Sequence, residues 1–238
     1  MKLDRLQIGG WYLCNPLKVA ILADLHGRPW KYLSEAVAEE APDMIMLAGD
    51  ISEGDPSESL NTLRLLCRLA ELAPTFYSLG NHERRPDAAG LTKINKTGAV
   101  LLDDTFVTLN GIAVGGLTSG YTSSHSCRFR RTMTPSPDTS WLTRFSESGS
   151  HRILLSHHPE YYERYLRHLP IDLILSGHAH GGQVRLFGRG LFAPGQGFFP
   201  RYTSGIYDGR LAVSRGLSNT VPIPRFMNPT ELILLTIQ

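Results

Sequence analysis

Short apolar runs that stop abruptly at a Gly, Asp, Asn or His recur along the chain. Val19-Ala20-Ile21-Leu22-Ala23 leads into Asp24, and Met44-Ile45-Met46-Leu47-Ala48 into Gly49-Asp50. Thr75-Phe76-Tyr77-Ser78-Leu79 leads into Gly80-Asn81-His82. Ile153-Leu154-Leu155-Ser156 leads into His157, and Leu173-Ile174-Leu175-Ser176 into Gly177-His178. Short apolar runs without alternation predict strands buried on both faces. Helical patterns lie between them. Trp30 to Ala41 carries Leu33, Val37 and Ala41 on one face, with Glu35, Glu39 and Glu40 off it, and Pro42 ends it. Asp55-Pro56-Ser57-Glu58 reads as a capping box with Pro at the first helical position. It opens a helix running to Ala73, with Leu60, Leu63, Cys67 and Ala70 on its buried face. Pro159 to His168 is a shorter helix.

Strand, helix and strand in repetition predict an α/β fold with covered sheet faces. Ligands of such sheets bind beyond the carboxyl ends of the strands, where the polar residues just named sit. The last quarter reads differently. Gln183 to Asn228 is rich in Gly, Pro and aromatics. Val184–Phe187, Leu211–Val213 and Glu231–Ile237 are read as strands, and Gly188–Pro200 and Ser214–Pro229 as loops.

Length and composition narrow the class. The 238 residues suit one large domain, and with no long linker, repeat or low-complexity tract a single domain over 1–238 is expected. Hydrophobic residues make 42% and charged residues 19%, which excludes disordered, collagen-like and coiled-coil classes. With 24 Lys plus Arg against 22 Asp plus Glu, the net charge of +2 argues against a surface built for nucleic acid. Cys14, Cys67 and Cys127 show neither disulfide nor metal spacing, so a reducing compartment is expected. Leu6–Leu17 is apolar but holds Gly9, Gly10, Asn15 and Pro16 and lacks a cleavage site, so it reads as two short strands and a turn. A cytoplasmic protein follows, with contact to the inner face of the membrane left open.

Five polar clusters follow the apolar runs: Asp24-Leu25-His26, Gly49-Asp50, Gly80-Asn81-His82-Glu83, His157-His158, and Gly177-His178-Ala179-His180-Gly181-Gly182. Carboxylate, imidazole and amide oxygen together suit Mn, Fe or Zn. The lack of Cys ligands argues against a closed structural zinc site. In Asp-x-His at a strand end, residues i and i+2 share a face, which predicts that Asp24 and His26 point together, as do His178 and His180. Asp50 is placed to bridge two ions.

In this order the motifs resemble the calcineurin-like metallophosphoesterase superfamily. The matching motifs span Asp24 to His180, and Val213-Ser214-Arg215-Gly216-Leu217 resembles the tail of its bacterial single-domain branch. That branch includes broad phosphodiesterases and enzymes hydrolysing UDP-2,3-diacylglucosamine. The resemblance implies a four-layer α/β/β/α sandwich, two mixed sheets flanked by helices. It implies two divalent metal ions, manganese first. Asp24, His26 and His180 would hold one ion, Asn81, His157 and His178 the other, and Asp50 would bridge them. His82 would lie over the scissile phosphate and stabilise charge or protonate the leaving oxygen. Many relatives carry an Asp three residues beyond the bridging Asp to orient the catalytic His. Here that residue is Glu53, and pairing with His82 is weighed against exposure to solvent. His158 is expected to point to the other side of its strand end.

The implied reaction is hydrolysis of a small phosphodiester or pyrophosphate, nucleotide- or lipid-linked, with a metal-bridging hydroxide attacking phosphorus in line. A nuclease or monoesterase on the same site is the alternative. A non-catalytic scaffold is disfavoured because every expected ligand is present. No protein partner is evident. Residues 183–228 contain six Arg, no Lys and one acid, Asp208, giving +5, so the rest of the chain is +2 − 5 = −3. Forked Arg donors suit phosphate, and Arg215 and Arg201 are the expected substrate contacts. Phe187, Phe192, Phe198, Phe199 and Tyr202 interleave with them. His125, His151 and His168 are read as loop, strand-start and helix-end residues.

Overall fold

The computed structural model describes residues 1–11, 13–120, 134–220 and 222–238. His125, Cys127 and most of the Ser/Thr-rich stretch 118–139 lie outside the described residues.

In chain order the strands are β1 (Lys2–Ile8), β2 (Leu17–Leu22), β3 (Met44–Ala48), β4 (Thr75–Ser78), β5 (Val100–Leu101), β6 (Thr105–Leu109), β7 (Ile112–Leu117), β8 (His151–Ser156) and β9 (Leu173–Ser176). Four two-residue strands follow: β10 (Arg185–Leu186), β11 (Arg189–Gly190), β12 (Phe192–Ala193) and β13 (Gly197–Phe198). The last three are β14 (Gly205–Tyr207), β15 (Leu211–Val213) and β16 (Glu231–Ile237). The helices are α1 (Lys31–Glu40), α2 (Leu60–Ala70), α3 (Ala88–Asn95) and α4 (Leu142–Ser146).

Two six-stranded mixed sheets carry the fold, in the orders β1-β16-β2-β3-β4-β5 and β14-β15-β9-β8-β7-β6. In the first, β2, β3, β4 and β5 run parallel, while β16 lies antiparallel to β2 and parallel to β1. In the second, β15, β9, β8 and β7 are parallel. The apolar runs lack alternation because both faces of each sheet are covered. On β2, Val19 and Ile21 enter the core between the sheets with Met46, Phe76, Ile153 and Leu175. Ala20 and Leu22 face the other way, against Leu33, Val37, Leu65 and Leu69 of α1 and α2. Leu154 and Ile174 of the second sheet pack against Phe145, Tyr162 and Leu166. The layers are therefore α/β/β/α, as expected.

Several local expectations are corrected. Residues Leu6–Leu17 do not form two strands: β1 begins at Lys2 and β2 starts only at Leu17. The Asp55 segment does not open α2. It forms a 3-10 turn over Pro56–Glu58, with Asp55 accepting from Ser57 N, and Ser59 caps a new helix by accepting from Thr62 N. The restart shifts the phase, so Thr62, Leu65, Leu66 and Leu69 are buried and Leu60 and Cys67 are exposed. The Pro159–His168 helix shrinks to one wide turn, Tyr162–Leu166, with Arg167 N bonded to Tyr162 O. Val184–Phe187 contributes only Arg185–Leu186 as strand, and Gly188–Pro200 contains short hairpin strands.

Candidate metal centre

The strand ends of both sheets converge. Asp24 N donates to Gly49 O at 3.1 Å and His26 N to Asp50 O at 2.9 Å, which ties the loop after β2 to the loop after β3. Gly177 N donates to His157 O at 3.1 Å, joining the loops after β8 and β9. His178 N donates to the Asp24 carboxylate at 3.1 Å, joining the two sheets. Close approach dictates the glycines. A Cβ at Gly49, where φ is +83°, would stand 2.6 Å from His157 Nδ1. One at Gly80 would overlap the Asp50 carboxylate.

The backbone reason expected for ligand direction is corrected. Asp24, His26, Asp50, His178 and His180 lie past the strand ends with φ of 56°, 52°, 54°, 64° and 45°. Left-handed backbone, not strand alternation, aims five of the seven expected ligands. Each such residue costs about 1–2 kcal/mol, and such strain clusters at functional sites.

The structure brings Asp24, His26 and His180 into one group of donors, and Asp50, His157 and His178 into another, each within 4.8 Å. Asp50 Oδ2 lies 3.1 Å from His157 Nε2 and 3.7 Å from His26 Nε2, between the two groups. Its other oxygen accepts from His82 N at 2.9 Å. Asn81 is buried between Gly80 and His82.

Two of the rings are anchored from behind. His157 Nδ1 lies 2.8 Å from the carbonyl of Ala48, and His26 Nδ1 lies 2.7 Å from Glu53 Oε1. Those acceptors require N–H on Nδ1, which leaves a lone pair on each buried Nε2, and neither Nε2 has a hydrogen-bond partner. His157 Nε2 faces a carboxylate oxygen, so either a proton or a metal ion belongs between them. Burial disfavours a charged ring, but Asp50 and Asp24 raise His157 to about 10. That proton affinity expresses the same need, and a metal ion meets it as well. The donor set fits divalent metal.

His180 differs. Arg225 Nη2 donates to its Nδ1 at 3.1 Å, so the neutral ring carries its proton on Nε2, 3.5 Å from Asp24 Oδ1. Burial lowers His180 to about 4 against the pull of Asp24, with His26 and Arg225 adding to the lowering.

Glu53 does pair with His82: Oε2 lies 3.1 Å from His82 Nδ1. It also touches His26, which the sequence did not suggest. Glu83, the fourth residue of Gly-Asn-His-Glu, had no expected role. Its buried carboxylate accepts from the backbone N–H groups of Asp50, Ile51, Ser52 and Gly80 at 2.7–2.9 Å and from the Tyr77 hydroxyl. It fixes the loop that carries Asp50. Its place in a rare tetrapeptide was the available signal.

Other expectations fare differently. His158 does not point away: its ring centroid lies 3.9 Å from that of His178. Arg215 and Arg201, the expected substrate contacts, form ion pairs within the protein. Arg215 is buried against Asp4 at 2.5 Å and Glu231 at 3.2 Å, and Arg201 reaches Glu163 at 2.6 Å. Arg225 brings a guanidinium against the expected ligand His180.

Residues 17–182 match the model of the calcineurin-like phosphoesterase family. The chain belongs to that family. Relatives of this calcineurin-like phosphoesterase include the phosphodiesterase YaeI of Escherichia coli, 33% identical over 72% of this chain and 63% of the relative. An uncharacterized metallophosphoesterase of Campylobacter jejuni, Cj0846, is 28% identical over 95% of this chain and 60% of its own length. One from Aquifex aeolicus is 27% identical over 93% of this chain and 85% of its own. The chain thus spans less than two thirds of the first two relatives. The ligand groups above are candidates for holding divalent ions. No helix among the described residues is long and apolar enough to cross a membrane.

Proposed function

We propose that this calcineurin-like phosphoesterase is a dinuclear phosphodiesterase or pyrophosphatase acting on a nucleotide- or lipid-linked small molecule. The observation that carries the two-ion reading is Asp50 Oδ2, set between the His157 and His26 lone pairs. Asp24, His26 and His180 hold one ion, Asn81, His157 and His178 the other, and Asp50 bridges, with manganese the first choice of metal. When bound, the two ions supply Lewis acidity and activate water near neutral pH. His82 acts as the acid. Burial works against its cation, but the Glu53 hydrogen bond and the Asp50 charge raise it above the ordinary imidazole range. With Nδ1 held by Glu53, its free N–H is on Nε2, and from there it gives a proton to the leaving oxygen.

The diester preference is supported by the name of the Escherichia coli relative. A lipid- or base-bearing leaving group is supported by the rim. Leu191 N donates to Gly182 O and Asn228 Nδ2 to His180 O, which ties the β10–β13 flap and the segment around Phe226 to the ligand loop. On these segments Phe187, Phe198, Phe199, Phe226 and Met227 are largely exposed. Phe187, Phe199 and Met227 also hold φ near +50°, a conformation unfavourable for bulky side chains. An apolar contact for substrate or membrane surface accounts for both features.

A panel assayed with Mn²⁺ tests the reading: an aryl phosphodiester, UDP-diacylglucosamine, cyclic nucleotides and monoesters. Turnover of a diester or pyrophosphate at least about tenfold above any monoester is expected, a difference of about 1.4 kcal/mol in transition-state binding. Preference for monoesters overturns it.

A further inference from the structure

Next to His178 a second set of donors stands ready. After β8 the chain turns at His158-Pro159-Glu160, closed by Tyr161 N donating to His158 O at 3.1 Å. His158 and Glu160 are 3% and 7% exposed. The Glu160 Oε1 atom accepts from Thr134 Oγ1 at 2.7 Å and lies 3.3 Å from His158 Nδ1. The remaining atoms, His158 Nε2 and Glu160 Oε2, are buried with no hydrogen-bond partner. Buried polar atoms are rarely left unmet, and each one that is calls for a partner. Donor atoms of His158, Glu160 and His178 lie within 4.8 Å of one another. Two imidazoles and one carboxylate are a donor set for zinc and similar ions.

We propose that His158, Glu160 and His178 form a further divalent-cation site, distinct from the Asp50-centred pair and sharing His178 with it. The Glu160 hydrogen bond places the His158 ring proton on Nδ1 and presents the Nε2 lone pair to the ion.

Equilibrium dialysis of the full chain against Zn²⁺, with metal counted per chain, tests the site. His158→Ala and the isosteric Glu160→Gln should each bind one ion fewer than wild type, with melting profiles retained. The count that remains reports on the Asp50-centred pair, so one ion in wild type and none in His158→Ala keeps this site and removes the two-ion reading. Equal counts in wild type and folded variants overturn it. Wild-type crystals measured at the zinc edge give an answer that needs no variant. An anomalous peak about 2.0–2.2 Å from His158 Nε2 and Glu160 Oε2 supports the site. Density of water strength there without anomalous signal overturns it.

Discussion

Glu53 Oε1 lies 2.7 Å from His26 Nδ1. The second oxygen of the same carboxylate reaches His82 Nδ1 at 3.1 Å. One side chain therefore fixes the tautomer of an expected metal ligand and that of the expected acid. A shorter Asp at this position would reach less far, and the two contacts give the longer Glu a physical reason. Glu53→Gln can still meet one ring but loses the charge that favours both N–H groups. Outer-shell partners of this kind are worth about 10–100-fold in affinity or activity. We expect a loss in that range, in both metal affinity and kcat, measured by dialysis and steady-state assay. Unchanged turnover would remove Glu53 from the mechanism.

The same carboxyl makes stability depend on acid. Burial opposes its charge, but the hydrogen bonds to His26 and His82 lower it from 4.5 to about 2. Unfolding then takes up a proton between those values, so its contribution is complete above about pH 4.5 and fades as pH falls towards 2. The side chain is half exposed, which keeps the effect small. Thermal melts of wild type and Glu53→Gln should differ at pH 6 and converge by about pH 2.

His82→Ala should keep its metal and lose rate. Removing a general acid costs about 10²–10⁴-fold. Metal content falling in step with rate would make His82 a ligand instead.

Asp50→Asn tests the bridge. An amide cannot supply the negative charge that faces His157 and His26. Nearly all activity and the coupled binding of the two ions should be lost, while circular dichroism stays native. Retained turnover would sink the bridging role.

Glu83→Gln should act through the fold. Its amide group turns donors towards backbone N–H groups that now have a carboxylate acceptor. Hydrogen bonds to a charged group are worth about 1.5–3 kcal/mol each, so a loss of about 3 kcal/mol or more is expected in chemical denaturation.

The strands were the most legible part. Met44–Ala48, Leu173–Ser176, Leu211–Val213 and Glu231–Ile237 appear with the bounds read from sequence, because apolar runs between polar stops leave little freedom. The face of α2 was misread because the capping signal at Asp55 and the cap that starts the helix at Ser59 are only four residues apart. The ligand groups were legible as motifs, but their geometry was not. Left-handed φ at Asp24, His26 and Asp50 depends on hydrogen bonds between loops far apart in sequence. The ion pairs of Arg215 and Arg201 were illegible for a related reason: composition counts cations and says nothing of where Asp4, Glu231 and Glu163 fall.

The position of β16 governs how the molecule can be made. That strand lies between β1 and β2, the strand that delivers Asp24. During synthesis the first sheet stays split, with β1 unattached, until residues 231–237 have left the ribosome. Nascent chains shorter than this carry all the candidate ligands yet lack the frame that aligns them. Loss of β16 should therefore act like a lesion at the metal centre, although none of its residues is a candidate ligand.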